Sequence, residues 1–442
     1  MARRRLLLAG AAAAVVAAGV GSARSAGPLP PLVLEAATPS PLLGLAVAPP
    51  YSNALVRLDP ATLRRVGRGR VVLGEHDSAW SFSPGRSRLV LGDTKGDLLL
   101  VDARRLRPLG HLATGVRSMV QATQWLDAWH VVAAVGWCCN VEQSRLVVVD
   151  VPRRKVLSRR SLGGTLERAA HAPQGLVLLL GPEKGIGPSR LAVAGRDGAL
   201  RSVALDRVVS GTEDVPADAQ IARRESPGLA VDAAGSRAFV VGAESEVAEV
   251  DLARLEVSYH SLTRSTSLLG RLHDWLESPA GAKVALNGPS RGALWLGNGI
   301  LAVYGTDDRA YLDAAGKVQQ DSTPSGLQLV GTRDWSVRTL DAGANLAAVA
   351  QGALVSVGST WRSELDRTTG TGLTIFGADG AVRAHLFGSR PVWFQVVGSR
   401  VFVPLPSSKT GYTIADVGLG AAVGEVRGRP LPLVLADLPT SY

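Results

Sequence analysis

SRLVVVDVPRRKVLSRRSL, residues Ser144–Leu162, decides the fold, because softened copies of it recur along nearly the whole chain. Leu146, Val147, Val148 and Val149 are β-formers in a run too short for a helix and bounded by polar residues. Asp150 ends the run, where a short carboxylate accepts hydrogen bonds from the following amides and turns the chain. A polar linker and a second short strand around Val156 and Leu157 complete a hairpin.

Similar hairpins appear as ALVRLDPATLRRVG with Asp59, DLLLVDARRLRPLGHL with Asp102, VAEVDLARLEVSYHSL with Asp251 and YTIADVGLGAAVGEV with Asp416. Gly195, Gly331 and Gly377 hold the turn position in three more copies. The eight turn positions are separated by 43, 48, 45, 56, 80, 46 and 39 residues, a period in the forties that marks propeller blades. The sequence therefore predicts an all-β fold: a single β-propeller of about eight four-stranded blades, with seven as the alternative. Leu431–Ala436, LPLVLA, is expected to close the ring by completing the first blade. These blades resemble secreted bacterial β-propellers of the YVTN and WD-repeat-like superfamily over essentially the whole chain after residue 26. That resemblance implies an architecture and leaves activity open, since such propellers include scaffolds, lyases, lactonases and dehydrogenases.

The first 26 residues read as a signal peptide and its cleavage region, and residues 27–442 as the propeller. Arg3, Arg4 and Arg5 form the charged part, Leu6–Gly21 the apolar part, and Ala23 the preferred cleavage position. Export to the periplasm, cell envelope or medium is expected, with an N-terminal membrane tether if the segment stays uncleaved. Beyond that segment no integral membrane domain is expected. The net charge of +10 drops to +7 when the three leading arginines are removed. Only six of the 48 basic residues are Lys, and the arginines are dispersed rather than set in a stripe with aromatics, so nucleic acid is not the expected partner.

The long connections sort to one side of the ring. Gly136–Ser144, Gly181–Ser189, Gly305–Ser325, Gly358–Thr371 and Pro404–Gly411 join second to third strands, while Gly211–Glu225 and Thr263–Gly292 join blades. In a propeller these two connection types share a face, which makes a loop-rich face the expected binding surface. Cys138 and Cys139 lie on it between Trp137 and Asn140. In an exported protein the two thiols are candidates for a vicinal disulfide that stiffens the loop. The insertion 263–292, between the fifth and sixth blades, carries LLGRLHDWLE at Leu268–Glu277. It reads as one short helix that could bring His273, Asp274 and Trp275 over the funnel. Asp307, Asp308 and Arg309, with Trp361, Arg362 and Glu364, complete the candidate contact residues, and solvated loop charge is their competing reading.

No zinc-spaced histidines, nucleophile elbow or phosphate loop occur in the sequence. No metal site or cofactor is expected. The reading is a monomeric, non-catalytic propeller that binds a protein, peptide or envelope glycan through its loop-rich face. The alternative is a propeller lyase, lactonase-like hydrolase or oxidoreductase with its site in the central funnel.

Overall fold

The computed structural model describes residues 30–36, 38–48, 52–74, 79–137, 140–195, 198–215, 219–243, 246–262, 285–363, 367–390, 393–406 and 409–435. The chain is an all-β propeller built from antiparallel meanders. The Asp-initiated turns form as their chemistry requires. Asp59 Oδ1 accepts hydrogen bonds from the amides of Ala61 (3.1 Å) and Thr62 (2.8 Å). Asp102 accepts from Arg104 and Arg105, Asp251 from Ala253 and Arg254, and Asp416 from Gly418 and Leu419. Four residues after Asp59, Asp102, Asp150 and Asp251, the backbone of Leu63, Leu106, Arg154 and Leu255 enters the left-handed region at φ 49–60°. The carboxylate bonds and the packed leucines hold that costly conformation in place.

Five blades are closed as four-stranded sheets of their own. The first contains Leu43–Ala48, Ser52–Leu58, Arg65–Gly74 and Leu433–Val434. The second spans Ala79–Phe82 to Arg107–Ala113, and the third Val120–Trp125 to Lys155–Ser161. The fourth runs from Gly228–Val231 to Val257–Ser261 and the fifth from Gln395–Val397 to Ala421–Arg427. This corrects the expectation of eight, or seven, four-stranded blades: the other fourteen strands form one continuous sheet. Turn spacing counts hairpin units, whereas hydrogen bonding decides which units share a sheet. Here several strands overrun the length of a blade. Leu200–Thr212 and Ile300–Leu312 each have 13 residues; the first ends against Ile221–Glu225, and the second extends into a hairpin with Val318–Pro324, which pairs in turn with Ala353–Arg362 of the next unit. Among the described residues there is no α-helix, only a single 3-10 turn at Pro84–Arg86, and Leu268–Glu277 lies outside them.

Alternate side chains of each strand fill the space between adjacent sheets. Leu43, Leu45 and Leu55 of the first sheet meet Leu89, Leu91, Leu99 and Val101 of the second in one buried cluster. Each such side chain contributes roughly 1.5–3 kcal/mol by leaving water. Arginines add a second kind of junction, donating to backbone carbonyls of the neighbouring sheet. Arg154 reaches Leu109 O (2.6 Å), Arg159 reaches Thr114 O (2.6 Å) and Arg201 reaches Ala253 O (2.8 Å). At the ring closure, Arg400 of the fifth separate sheet reaches Ala61 O of the first (2.5 Å).

Two terminal segments lock onto the ring. Leu433–Val434 pairs with Leu43–Ala48 in antiparallel register, and Leu435 N donates to Leu43 O at 2.9 Å. The segment 31–35 lies across the short-turn face, where Leu32 N donates to Ala378 O, Val33 N to Leu296 O and Gly352 N to Leu34 O. Leu32 and Leu34 are buried there against Leu296, Ile300 and Phe376.

Candidate functional site: a hydrogen-bonded wall on one face

The face expected to carry loops carries strands. Residues 186–188 pair with 209–211, and 211–212 pair with 224–225. Residues 221–223 run parallel to 285–287. Further round, 288–295 pair with 301–308 and 306–312 with 318–324. Asp321 and Ser322 then face Arg362 and Trp361, which pair in turn with Arg367 and Thr368. The polar and Gly-containing segments that read as loops thus satisfy their amides in a continuous wall, raised on the side opposite the short Asp turns.

Two groups of expected contact residues meet in this wall. Arg309, Asp321 and Arg362 stand directly opposite one another on three adjacent strands and so share one face. Asp308, Ser322 and Trp361 form the next row, on the other face. Arg309 and Arg362 are exposed, and Asp308 and Trp361 half-buried. Asp307 pairs with Arg291 at 2.7 Å, while Arg291 also donates to Thr306 O at 2.9 Å. Arg291 is 13% exposed against 50% for Asp307, so this pair secures the base of the wall rather than presenting two free charges. Trp137 and Asn140 are paired at a hairpin tip of the third sheet. Cys138, Cys139, His273, Asp274, Trp275 and Glu364 lie outside the described residues.

A charged cluster that the sequence reading missed lies at the foot of the wall. Burial pushes the Glu167 carboxyl above its ordinary value, opposed by Arg224, the Thr165 hydroxyl and Arg168. Burial likewise pulls the Arg168 guanidinium below its ordinary value. Thr165 Oγ1 donates to Glu167 Oε1 at 3.2 Å. Close by on the next inserted strand, Glu225 is 2% exposed and accepts from Arg223 Nε (2.9 Å) and Nη2 (2.5 Å). Its Oε2 has no hydrogen-bond partner among the described residues. Glu167 and Arg168 stand in the first half of the Ala-rich strand Leu166–Ala172, and that charged pair beside its apolar end was the available signal. Such a group can hold a polar ligand or exchange a proton. Among the described residues no three His, Cys, Asp or Glu side chains gather as a metal site. On the opposite face, a cavity of about 320 Å³ is bordered by Ser81, Arg86, Gln124 and His171, with the Arg86 guanidinium 3.7 Å above the Phe82 ring.

No family model and no curated protein matches the sequence. Solved structures do match. Dihydro-heme d1 dehydrogenase NirN in complex with DHE aligns with a TM-score of 0.52 at 10% identity, over 91% of this chain and 76% of that one. BamB from Moraxella catarrhalis gives 0.46 at 10% identity, over 84% and 93%. The β-propeller domain of Cps50 (Swd1) from Myceliophteria thermophila gives 0.38 at 10% identity, over 84% and 90%. At such identities the likeness to NirN speaks for architecture alone, and the YVTN and WD-repeat-like resemblance gains no family assignment. The fold is a β-propeller.

Proposed function

We propose that this is an exported, non-catalytic β-propeller of the YVTN and WD-repeat-like kind that binds a protein or peptide partner through the raised wall. The observation that carries this reading is the strand-to-strand bonding of the wall itself. A face whose projecting segments are already hydrogen-bonded loses little conformational entropy when a partner docks. Its row of Arg309, Asp321 and Arg362 offers directional charge, and the half-buried Trp361 on the other side offers the aromatic anchor that dominates many interfaces. Export rests on the Arg3–Arg5 and Leu6–Gly21 pattern, and a vicinal disulfide at Cys138 and Cys139 would stiffen the neighbouring tip. Mass spectrometry before and after reduction tests both, through the mass of the N-terminus and a gain of two protons.

The partner claim is tested by placing a photo-crosslinking residue at Arg309 or Arg362, and as controls at Arg104 or Leu419 on the short-turn face. Specific adducts from the wall positions alone are expected. Adducts from the controls alone would move the interface to the other face and end this reading. A second reading, an enzyme working in the funnel, is favoured by one observation: the half-buried Glu167 carboxyl, raised above its ordinary value beside Arg168 and Arg224. NirN is a dehydrogenase, and at 10% identity it lends this alternative the fold and nothing more.

A further inference from the structure

We infer that the seam between the first and last four-stranded sheets is a binding site for a small amphipathic carboxylate, an apolar group of about ten heavy atoms ending in a carboxylate. Where the ring closes, the two sheets leave a groove of about 270 Å³. Its floor is apolar and comes from Ala46, Ala54, Val56, Leu58 and Leu431. The opening has a local cause: Ala46 stands directly opposite Ala54 in the strand register, so two methyl groups occupy a place that Leu or Val fills at other junctions.

The rim carries Arg64, Arg65, Arg70 and Arg429, all exposed, and no acidic side chain lines the groove. None of the four makes an ion pair among the described residues. The Arg65 guanidinium donates to Arg68 O, and Asp59, at the adjoining turn, commits its Oδ1 to Ala61 and Thr62. Arg70 lies opposite Val56 and Arg65 opposite Leu58, so both arise on the face that forms the floor.

Charged residues on an outer strand commonly serve to discourage edge-to-edge pairing, and Arg65–Gly74 is such a strand. That role does not account for Arg429, which approaches from beyond Ala421–Arg427 in the last sheet. Four like charges around one apolar groove repel one another until an anion sits between them. Guanidinium groups match a carboxylate in two-point hydrogen bonds, and the floor accepts the attached hydrocarbon. A bare inorganic anion would leave the floor empty, and a neutral alkyl group would leave the charges unopposed.

Isothermal titration calorimetry of the full chain with sodium octanoate tests this, with acetate and 1-octanol as partial ligands. Saturable octanoate binding at one site is expected, with each partial ligand at least tenfold weaker. Arg70→Gln combined with Arg429→Gln changes only exposed side chains and should weaken octanoate at least tenfold. Ala46→Leu, which fills the floor without touching a charge, should do the same. Absence of octanoate binding at millimolar concentration would overturn the inference. So would binding that stays within twofold in both variants, or octanol binding as tightly as octanoate.

Discussion

Replacing Leu435 by Ala should loosen the ring at its closure, and the structure sets the size of the effect. Leu435 is fully buried among Leu43, Leu45, Leu55, Leu89 and Leu99, where the first two sheets meet. Removing a buried Leu to Ala costs about 2–5 kcal/mol, from lost transfer energy and from the cavity left behind. With an unfolding entropy of about 2.1 cal/mol/K per residue, a cooperative unit of about 400 residues would lose roughly 2–6 °C in Tm. Gln395→Ala acts on the same latch by another route. Its Nε2 donates to Pro432 O at 2.8 Å, and its Oε1 accepts from Val434 N at 2.6 Å. Two such bonds contribute about 1–3 kcal/mol together. The control is Leu419→Ala, at a turn residue 74% exposed, which should stay within about 0.5 kcal/mol of the parent. Thermal unfolding gives the ranking, and hydrogen exchange at the Leu435 amide shows whether the latch opens first. If Leu435→Ala melted with the Leu419→Ala control, the C-terminal strand would carry no closure energy and this reasoning would fail.

Asp59→Ala removes the acceptor of two amides and of the Thr62 hydroxyl, and should cost about 1–2 kcal/mol, read as a fall in Tm. Hydrogen bonds from the Arg153 and Arg254 amides hold Asp150 and Asp251 below the ordinary value of 3.8. The stability they lend is therefore complete above that pH and drains away as pH falls from there through their lowered folded-state values. Asp150→Asn with Asp251→Asn should flatten the acid limb of a Tm-against-pH curve, and an unchanged limb would assign acid unfolding to other groups. Arg291→Met leaves Asp307 and Thr306 O without their donor, so amides at 306–309 should exchange faster while the melting of the five separate sheets hardly moves.

The turns were legible from sequence because one residue type does one local job: an Asp after an apolar run accepts the next amides wherever it occurs. The wall was not. Gly288-Pro289-Ser290, Thr306-Asp307-Asp308 and Ser322-Thr323-Pro324 have the composition of loops, and no apolar face marks them as strands. Their β-structure comes from the arms of long hairpins, 288–290 against 306–308 and 306–308 against 322–324, paired across more residues than a short window spans. The same non-local pairing joined fourteen strands that turn spacing had divided into separate blades. Asp307–Arg309 and Trp361–Arg362 could be nominated, but only the register of residues 318–324 brings them together through Asp321 and Ser322. The dispersed arginines, which in the sequence argue only against nucleic acid as a partner, also have a structural use: Arg154, Arg159, Arg201 and Arg400 each join one sheet to the next through a backbone carbonyl. Lys, with a single point of donation and no planar fork, would fit those carbonyls less well.

The strap at residues 31–35 also sets which way the molecule faces. It crosses the short-turn side, bound to Ala378, Leu296, Gly352 and, through Pro31 O, Asn298, so residue 31 lies on that side. The wall stands on the other. Anything joined at residue 31 therefore meets the short-turn side first, with the Arg309–Asp321–Arg362 row turned away from it. Fusion of a bulky domain ahead of residue 30 should therefore leave the wall open, whereas a graft into the 312–318 hairpin would obstruct it.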